Sequence, residues 1–392
     1  MADVGGADVG GTVVAGFEAV RDAFEENLRR HGEVGAAVCV YHRGRPVVDL
    51  WAGVADPDTG RAWRRDTLQV IYSATKSATA ACAHLLVQRG ELDLDAPVAA
   101  YWPEFAQAGK AGIPVRWLLS HRAGLPALDE RLPVPDVLAW EPVVAALAAQ
   151  RPLWEPGTRH GYHALTFGWL VGEVVRRVSG RGLGAFFAQE IAAPLGLDFW
   201  IGLPARELPR VSRIVGPAFA DRGAPPEHAR RMPAGRAAPA GLTMRAMVVS
   251  TPPLDLNDPR QLAAEIPAVN GVCTAHALAR FYAALVGPVD GVRVLDAETL
   301  AAATVEQANG VDHVLRMPTR QALGFGLPLP GTSWYAPGAF GFPGHGGSLG
   351  YADPGSGVAF GYVMNRLHTG AAADPRAAGL ARAVAGCLRA IG

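Results

Sequence analysis

Strand-like segments lie near both ends of this chain of 392 residues, and a long helical stretch separates them. A hairpin pattern runs from Ala36 to His42, turns at Arg43-Gly44 and continues from Pro46 to Val54. The remaining strand patterns come much later in the chain and cover Ala322–Leu327, Phe340–Gly344, Leu349–Asp353 and Val358–Asn365. Because a two-stranded hairpin is marginally stable in water on its own, the early hairpin must share a core with later elements.

We therefore predict an α+β fold in which the hairpin and the late strands form one antiparallel sheet. Amphipathic helices from Val13 to Leu28 and from Asp374 to Ile391 are expected to cover that sheet. The predicted domains are a sheet domain of residues 1–75 and 268–392, a helical domain of residues 76–203, and a Pro- and Ala-rich loop or lid of residues 204–267. The glycine-rich residues 1–12 are expected to be frayed.

The composition argues against several classes of function. Lys plus Arg and Asp plus Glu number 36 each, so no basic excess indicates a nucleic-acid or membrane-surface partner. The chain has no run of about eighteen apolar residues and no basic N-terminal region, which predicts a cytoplasmic protein without a secretory signal. Four cysteines are scattered singly in apolar surroundings, which is typical of buried core residues rather than of disulfides or a metal site.

The segment from Ile71 to Thr79 carries the first candidate for chemistry. A β-prone run ends at Tyr72 and a helical pattern continues to Gly90, so Ser73 begins a helix and Lys76 lies one turn further on the same face. A serine becomes a useful nucleophile when a neighbour takes its proton, and burial lowers the pKa of a lysine until the neutral amine is accessible. The alternative is a helix cap followed by a solvated lysine.

Two later segments supply candidates for the same site. Tyr162 follows a Pro-Gly turn at the predicted start of a helix, where backbone amides favour a phenolate that could accept the Ser73 proton directly or through Lys76. A glycine-rich strand would let a substrate approach the backbone, with the amides of Ser348 and Ser73 binding an acyl oxygen. That strand is His345-Gly346-Gly347-Ser348. A half-buried structural tyrosine and a glycine-rich strand bend are the alternatives.

A second serine motif overlaps this strand. The residues from Gly346 to Gly350 match G-x-S-x-G, the nucleophile elbow of α/β-hydrolases, which requires a helix after the serine and then an acid and a histidine. A turn and another strand follow Ser348 instead, and His368 is the one histidine downstream. We therefore predict Ser73 as the nucleophile. The spacing of His121, His160 and His163 does not match a metal site, and no P-loop or dinucleotide fingerprint occurs, so we expect no metal and no cofactor.

Together these segments resemble the motifs of the serine β-lactamase and penicillin-binding-protein superfamily, and within it the family VIII esterases. Ser73-x-x-Lys76 is similar to the first motif, and Trp154-Glu155-Pro156-Gly157 followed by Tyr162 is similar to the second. His345-Gly346-Gly347-Ser348 is similar to the strand that carries Lys-Thr-Gly in β-lactamases. Flanking phrases at Arg89–Pro97 and Leu118–Leu125 extend the similarity, which runs from about Gly35 to Leu367.

The resemblance implies a sheet domain with an inserted helical domain, an acyl-enzyme on Ser73, and Lys76 with Tyr162 as the proton-handling pair. Two departures from the β-lactamase pattern favour neutral acyl esters over β-lactams. The Tyr-x-Asn motif is Tyr162-His163-Ala164 here, which lacks the amide side chain, and the lysine of the third motif is His345.

We therefore predict a serine carboxylesterase whose partner is a small-molecule ester with a short acyl chain. The same residues would also serve a D-amino-peptidase or amidase, or an acyltransferase, and weak β-lactam hydrolysis is an expected side activity. The sequence carries no signal for the preferred acyl length or for the oligomeric state.

Overall fold

The computed structural model describes residues 8–216, 241–331, 336–368 and 374–391. Its strands are β1 (Gly10–Val13), β2 (Gly35–His42), β3 (Arg45–Asp56), β4 (Arg61–Ala62), β5 (Gln69–Val70), β6 (Leu132–Pro133), β7 (Phe199–Trp200), β8 (Ser250–Thr251), β9 (Val272–Cys273), β10 (Ala308–Val311), β11 (Pro318–Gln321), β12 (Phe340–Pro343), β13 (Leu349–Asp353) and β14 (Val358–Met364). Its α-helices are α1 (Glu18–Arg30), α2 (Thr75–Gln88), α3 (Val98–Tyr101), α4 (Val115–Leu119), α5 (Val134–Leu138), α6 (Glu141–Ala149), α7 (Thr166–Ser179), α8 (Leu183–Phe187), α9 (Ala193–Leu195), α10 (Leu242–Met247), α11 (Pro259–Ala263), α12 (Ala275–Val286), α13 (Ala297–Ala303) and α14 (Pro375–Ile391).

The main sheet joins the early hairpin to the late strands, as the sequence predicted. Its strands run in the order β1-β3-β2-β14-β13-β12, each pair is antiparallel, and β4 pairs with the outer part of β3. In this register Cys39 of β2 lies opposite Asp49 of β3 and Gly361 of β14. The prediction of an α+β fold with one antiparallel sheet is therefore confirmed.

Two strand predictions were wrong. We expected residues 1–12 to be frayed, but Gly10–Val13 forms β1 and pairs with the Val48–Trp51 part of β3; residues 1–7 lie outside the described residues. We also expected a strand over Ala322–Leu327, but β11 ends at Gln321. Gly324 has a φ of +83°, a left-handed conformation that interrupts an extended run.

Alternating side chains divide the sheet between two cores, because successive residues of a strand face opposite sides. Val38, Val40 and Leu50 point to a core shared with α1 and α14. Ala37, Cys39 and Tyr41 point to the larger core, which α12 shares. The sheet therefore has a helical layer on each face, and the terminal helices cover the outer one.

Helix α2 connects the sheet to the helical block. Every residue from Thr75 to Leu86 is buried, and the helix contacts α7, α8, α13 and strand β12. The larger core is continuous from the sheet through α2 to Trp169 of α7. The division of the chain into a sheet domain and an inserted helical domain stays a prediction, but the beginning of α2 lies where these two groups of elements meet.

Residues 204–267 contain more regular structure than the sequence indicated. A 3₁₀ turn at Ala205–Arg210, helices α10 and α11, and strand β8 lie within the described part of this segment, while residues 217–240 lie outside it. Helices of five or six residues are too short to show an apolar periodicity, which explains why the sequence indicated a loop. Among the described helices, none is both long and apolar enough to cross a lipid bilayer.

Candidate active site

Ser73 lies in a tight turn between a short strand and a buried helix. Strand β5 pairs with β9, a 3₁₀ turn follows at Tyr72–Ala74, and α2 continues directly from it. Tyr72 has a φ of +47°, which is uncommon for an aromatic residue and is held by its surroundings. The hydroxyl of Thr75 donates to the Tyr72 carbonyl at 2.5 Å and accepts from the Gly271 amide at 2.9 Å. These two hydrogen bonds hold the turn that carries Ser73 against the Gly271 segment.

Lys76 lies one turn beyond Ser73 and is completely buried. Its Nζ is 3.1 Å from Ser73 Oγ and donates to the backbone carbonyls of Ala164 and Ala268 at 2.7 and 3.1 Å. Burial lowers the pKa of this amine well below its usual 10.5. The alternative of a solvated surface lysine is therefore excluded by the structure.

The partners of Lys76 determine where the protons lie when the amine is neutral. A neutral amine has two N–H donors and one lone pair, and carbonyl oxygens can only accept. The two donors therefore point to Ala164 and Ala268, and the lone pair is left for Ser73 Oγ. In that arrangement Ser73 donates its hydroxyl proton to Lys76 while Oγ accepts a hydrogen bond from the Tyr162 hydroxyl at 2.7 Å.

Tyr162 reaches Ser73 from a segment that is neither helix nor strand. Helix α7 begins only at Thr166, so the predicted helix start at Tyr162 is wrong. The Tyr162 amide donates to Oδ1 of the buried Asp312 at 3.0 Å, and burial raises the pKa of the phenol above its usual 10. The helix-end argument for a phenolate therefore fails, and the neutral phenol acts as a hydrogen-bond donor.

Aromatic rings hold the phenol and the amine in place. The Tyr162 ring lies between those of His121 and Phe342, with centroids 5.1 and 6.0 Å away, and Lys76 Nζ lies 4.7 Å from its centroid. His163 fixes the backbone beside it: Nε2 accepts from the Leu125 amide at 3.0 Å, and Nδ1 lies 2.7 Å from the Gly161 carbonyl. These contacts require the neutral Nδ1–H tautomer, and burial lowers the pKa of His163 to about 3.

The glycine-rich segment forms the turn between β12 and β13 and not a strand. His345 lines the pocket that contains Ser73, whereas Ser348 is completely buried and its carbonyl accepts from the Gly344 amide at 2.6 Å. The Gly346 carbonyl accepts from Arg376 at 2.9 Å, and a Cβ at Gly346 would clash with Leu367, which lines the same pocket. A Cβ at Gly347 would clash with Asp374.

Of the four predicted residues of this turn, His345 lines the Ser73 pocket, and the roles of Gly346, Gly347 and Ser348 stay predictions. The turn approaches Ser73 closely at Gly344, where a Cβ would lie 2.2 Å from the Ile71 carbonyl. Ser348 lies close to this point of approach, because the same Cβ would be 3.0 Å from Ser348 Oγ.

The pocket at Ser73 has a volume of about 420 Å³ and a largely apolar lining. Its apolar side chains include Ile214, Met247, Val249, Leu254, Leu256 and Leu367, and Asp255 and Asn257 add polar atoms. Most of these residues come from the described part of residues 204–267. Neither Lys nor Arg occurs in the lining that the described residues form.

Sequence reasoning missed several residues that build the site. Phe342 covers the Lys76 amine at 5.7 Å, and Asp312 anchors the Tyr162 backbone through a carboxylate oxygen that also accepts from the amides of Val314 and Leu315. The two carbonyls that face Lys76 belong to alanines. No periodicity or motif distinguishes these residues, because their roles arise from packing between distant segments.

A family model described as Beta-lactamase matches residues 20–385. The chain belongs to the β-lactamase family. It is 39% identical over 352 residues to the esterase/beta-lactamase LipL of Mycobacterium tuberculosis. That alignment covers 86% of this chain and 78% of LipL. Crystal structures of a family VIII carboxylesterase and of a penicillin-binding protein homolog from Caulobacter crescentus each superpose with a TM-score of 0.87 at 38% identity. Each alignment covers 97% of this chain and 100% of the other.

These matches confirm the resemblance and the fold inferred from the sequence. As a member of the β-lactamase family, the chain is a hydrolase of that superfamily, and its similar proteins include named esterases. Ser73 and Lys76, which lie on one segment, and Tyr162, which lies on another, are brought within hydrogen-bond distance at Ser73 Oγ.

Proposed function

We propose that this protein is a serine carboxylesterase that cleaves neutral esters with short acyl chains through an acyl-enzyme on Ser73. The observation that carries the proposal is the double contact at Ser73 Oγ, with Tyr162 at 2.7 Å and Lys76 at 3.1 Å, beside an apolar pocket. The similarity to a family VIII carboxylesterase and to an esterase/beta-lactamase supports the choice of ester substrates.

In the acylation step, Lys76 takes the Ser73 proton while Oγ bonds to the ester carbonyl carbon. The lowered pKa of Lys76 makes the free amine available as a base, and the raised pKa of Tyr162 keeps the phenol protonated. When the tetrahedral intermediate collapses, the ester C–O bond breaks and the leaving alkoxide takes a proton from Tyr162. Lys76 then passes its proton directly to the Tyr162 phenolate, which restores the neutral amine and the neutral phenol.

Deacylation repeats this sequence with water as the nucleophile. The free Lys76 amine takes a proton from water, and the hydroxide oxygen bonds to the acyl carbon. Ser73 Oγ then leaves with the proton of the Tyr162 hydroxyl, which Lys76 replaces. The carboxylic acid is released and the resting arrangement returns. Charge develops on the acyl oxygen in both steps, so two backbone amides aimed at that oxygen would accelerate both.

We assign these amides to Ser73 and Ser348. Ser348 lies next to Gly344, at which a Cβ would be 3.0 Å from Ser348 Oγ and 2.2 Å from the carbonyl of Ile71, two residues before Ser73. Loss of a single oxyanion donor costs on the order of 3 kcal/mol in the barrier. This assignment predicts that the side chain at position 348 matters less than the position of its backbone amide.

The pocket supports a neutral and short acyl group. A volume of about 420 Å³ is at the small end for a ligand site, and the lining is mainly aliphatic. A substrate with a carboxylate would meet Asp255 and no lining cation among the described residues. Ala164 also offers no side-chain amide to a polar acyl group.

The experiment is hydrolysis of p-nitrophenyl butyrate by the parent protein, Ser73→Ala and Ser348→Ala. We expect Ser73→Ala to lose turnover and Ser348→Ala to keep most of it, which also separates the two serine motifs. A fluorophosphonate should add its mass to the peptide that contains Ser73. Full turnover by Ser73→Ala, or labelling at Ser348, would remove the proposal.

A weak β-lactamase activity is the second candidate, because one relative is named an esterase/beta-lactamase. The parent protein should open a chromogenic cephalosporin far more slowly than it cleaves the butyrate ester. Comparing ester, D-amino-acid amide and ester plus alcohol acceptor tests the amidase and acyltransferase alternatives with the same protein. Amide turnover that matches ester turnover would favour the amidase.

A further inference from the structure

A second cluster of reactive side chains lies on the inner face of the sheet, away from Ser73. It consists of Cys39 on β2, Asp49 on β3 and His276 in the first turn of α12. Cys39 and Asp49 are direct cross-strand partners, so the sheet register places their side chains next to each other. Helix α12 then brings His276 over both.

The donor atoms of these three side chains converge on one point. His276 Nδ1 lies 3.8 Å from Cys39 Sγ and 3.1 Å from Asp49 Oδ2, and all three donors lie within 4.8 Å of one another. In a tetrahedral zinc site with ordinary bond lengths, the S···N and N···O edges are roughly 3.5 and 3.4 Å. The observed S···N distance of 3.8 Å is slightly longer than the first of these values and the N···O distance of 3.1 Å is slightly shorter than the second, so small side-chain movements would complete the geometry.

The arrangement does not match a second nucleophilic triad. A relay from thiol to carboxylate needs the two partners on opposite ring nitrogens of the histidine. Here Cys39 and Asp49 both face Nδ1, while Nε2 lies 3.0 Å from the Tyr41 hydroxyl. We propose that Cys39, Asp49 and His276 form a binding site for a zinc-like divalent cation.

The surroundings supply the other features that such a site needs. The Tyr41 hydroxyl lies 3.0 Å from His276 Nε2, and a hydrogen bond to the ring nitrogen that does not bind the metal fixes the orientation of a ligating imidazole. A pocket of about 530 Å³, lined in part by His276, Arg65, Asp66 and Asp198, gives access from solvent. The thiolate, imidazole and carboxylate set suits zinc better than magnesium or calcium, which prefer oxygen ligands.

Arg65 covers the solvent side of the cluster. Its Nε donates to Asp49 Oδ2 at 2.8 Å and its terminal nitrogen lies 3.4 Å from His276 Nδ1. The Arg65 side chain is 60% exposed, so it can turn into solvent when a divalent cation takes its place. The guanidinium and the metal would then compete for the same carboxylate. Removing the Arg65 charge should therefore not weaken metal binding, whereas removing a ligand should weaken it.

The test measures zinc content and affinity after chelator treatment, with atomic absorption for stoichiometry and a chromophoric chelator as the competitor. The parent protein should bind about one zinc per chain, and Cys39→Ser and His276→Gln should each bind at least about tenfold more weakly. Arg65→Gln should bind at least as tightly as the parent. Cys387→Ser is the matched control, because this thiol is also buried but lies on α14, and it should bind as the parent does.

Two further measurements separate this site from misfolding and from binding elsewhere. Cobalt in place of zinc should give a thiolate-to-metal charge-transfer band that is lost in Cys39→Ser and kept in Cys387→Ser. Zinc should raise the melting temperature of the parent and of Cys387→Ser but not of Cys39→Ser. No zinc binding by the parent, zinc binding that Cys39→Ser retains in full, or weaker binding by Arg65→Gln would each overturn the proposal.

Discussion

Replacing Tyr162 with Phe removes a single hydroxyl from the site and leaves its surroundings in place. The ring of residue 162 would keep its packing between His121 and Phe342, because both contacts involve the ring and not the oxygen. The amide of the same residue would keep its hydrogen bond to Asp312. The change therefore isolates the 2.7 Å hydrogen bond that the phenol donates to Ser73 Oγ.

The loss in rate follows from the task assigned to that hydroxyl. General acid–base assistance is worth roughly 10²–10⁴-fold, so kcat/KM should fall by that factor, which corresponds to about 3–5 kcal/mol in the barrier. The free energy of unfolding should change by no more than about 1.5 kcal/mol, because one hydrogen bond and its hydroxyl are lost together. A large kinetic effect with a small stability effect is the expected signature.

The leaving group distinguishes proton donation from a purely structural role. A p-nitrophenolate leaves without needing a proton, whereas an alkoxide does need one. Tyr162→Phe should therefore lose more activity on ethyl butyrate than on p-nitrophenyl butyrate, measured side by side as kcat/KM. His121→Gln is a useful comparison, since it disturbs the packing of the ring without removing the hydroxyl. Equal losses on both esters would refute the role of Tyr162 as the proton donor.

Three further predictions concern protonation. The kcat/KM for p-nitrophenyl butyrate should rise with pH through the lowered pKa of Lys76 and should not decline below pH 10 from Tyr162, whose pKa is raised. The free energy of unfolding of the parent, measured relative to that of Lys76→Met, should rise with pH up to 10.5, by up to about 1.4 kcal/mol per pH unit. The reason is that, between the lowered pKa and 10.5, Lys76 is protonated in the unfolded chain and neutral in the folded one. The pKa of His163 falls from 6.5 to about 3, so acid should remove on the order of 5 kcal/mol of stability as pH falls through that range, and His163→Gln should lose less.

The contact between Ser73 and Lys76 and the main sheet could be predicted from the sequence because both depend on local pattern. Ser73 and Lys76 are three residues apart, and a helical turn brings such neighbours together whatever the rest of the chain does. The strands β2, β3, β13 and β14 show turn residues at both ends and few interruptions. Their pairing could then be predicted because a two-stranded hairpin is marginally stable unless further strands pair with it.

The positions that could not be predicted depend on contacts between distant segments. Tyr162 was expected in a helix because a Pro-Gly turn precedes it, but Asp312, 150 positions later, holds its amide in a segment that is neither helix nor strand. The turn at His345 was interpreted as a strand because its glycines suggested close approach of a substrate. The close approach exists at Gly344, however, and it is to the Ser73 turn.

The metal proposal illustrates the same limit. The four cysteines have no mutual spacing that indicates a ligand set, and the sequence alone therefore predicted no metal. Cys39 meets Asp49 through strand register and His276 through the packing of α12, and 237 positions separate the thiol from the imidazole. A ligand set assembled in this way has no short motif that a sequence could reveal.

The reactivity of Lys76 finally depends on a balance that the fold alone provides. Burial favours the neutral amine, yet in the proposed acylation the ammonium would meet the carbonyls of Ala164 and Ala268 and the face of the Tyr162 ring. Without these partners a buried ammonium would be too costly to form, and the base could not accept the Ser73 proton. Two of the three partners are backbone oxygens from segments about a hundred residues apart. The environment of Lys76 therefore depends on how those segments pack and not on the side chains at positions 164 and 268.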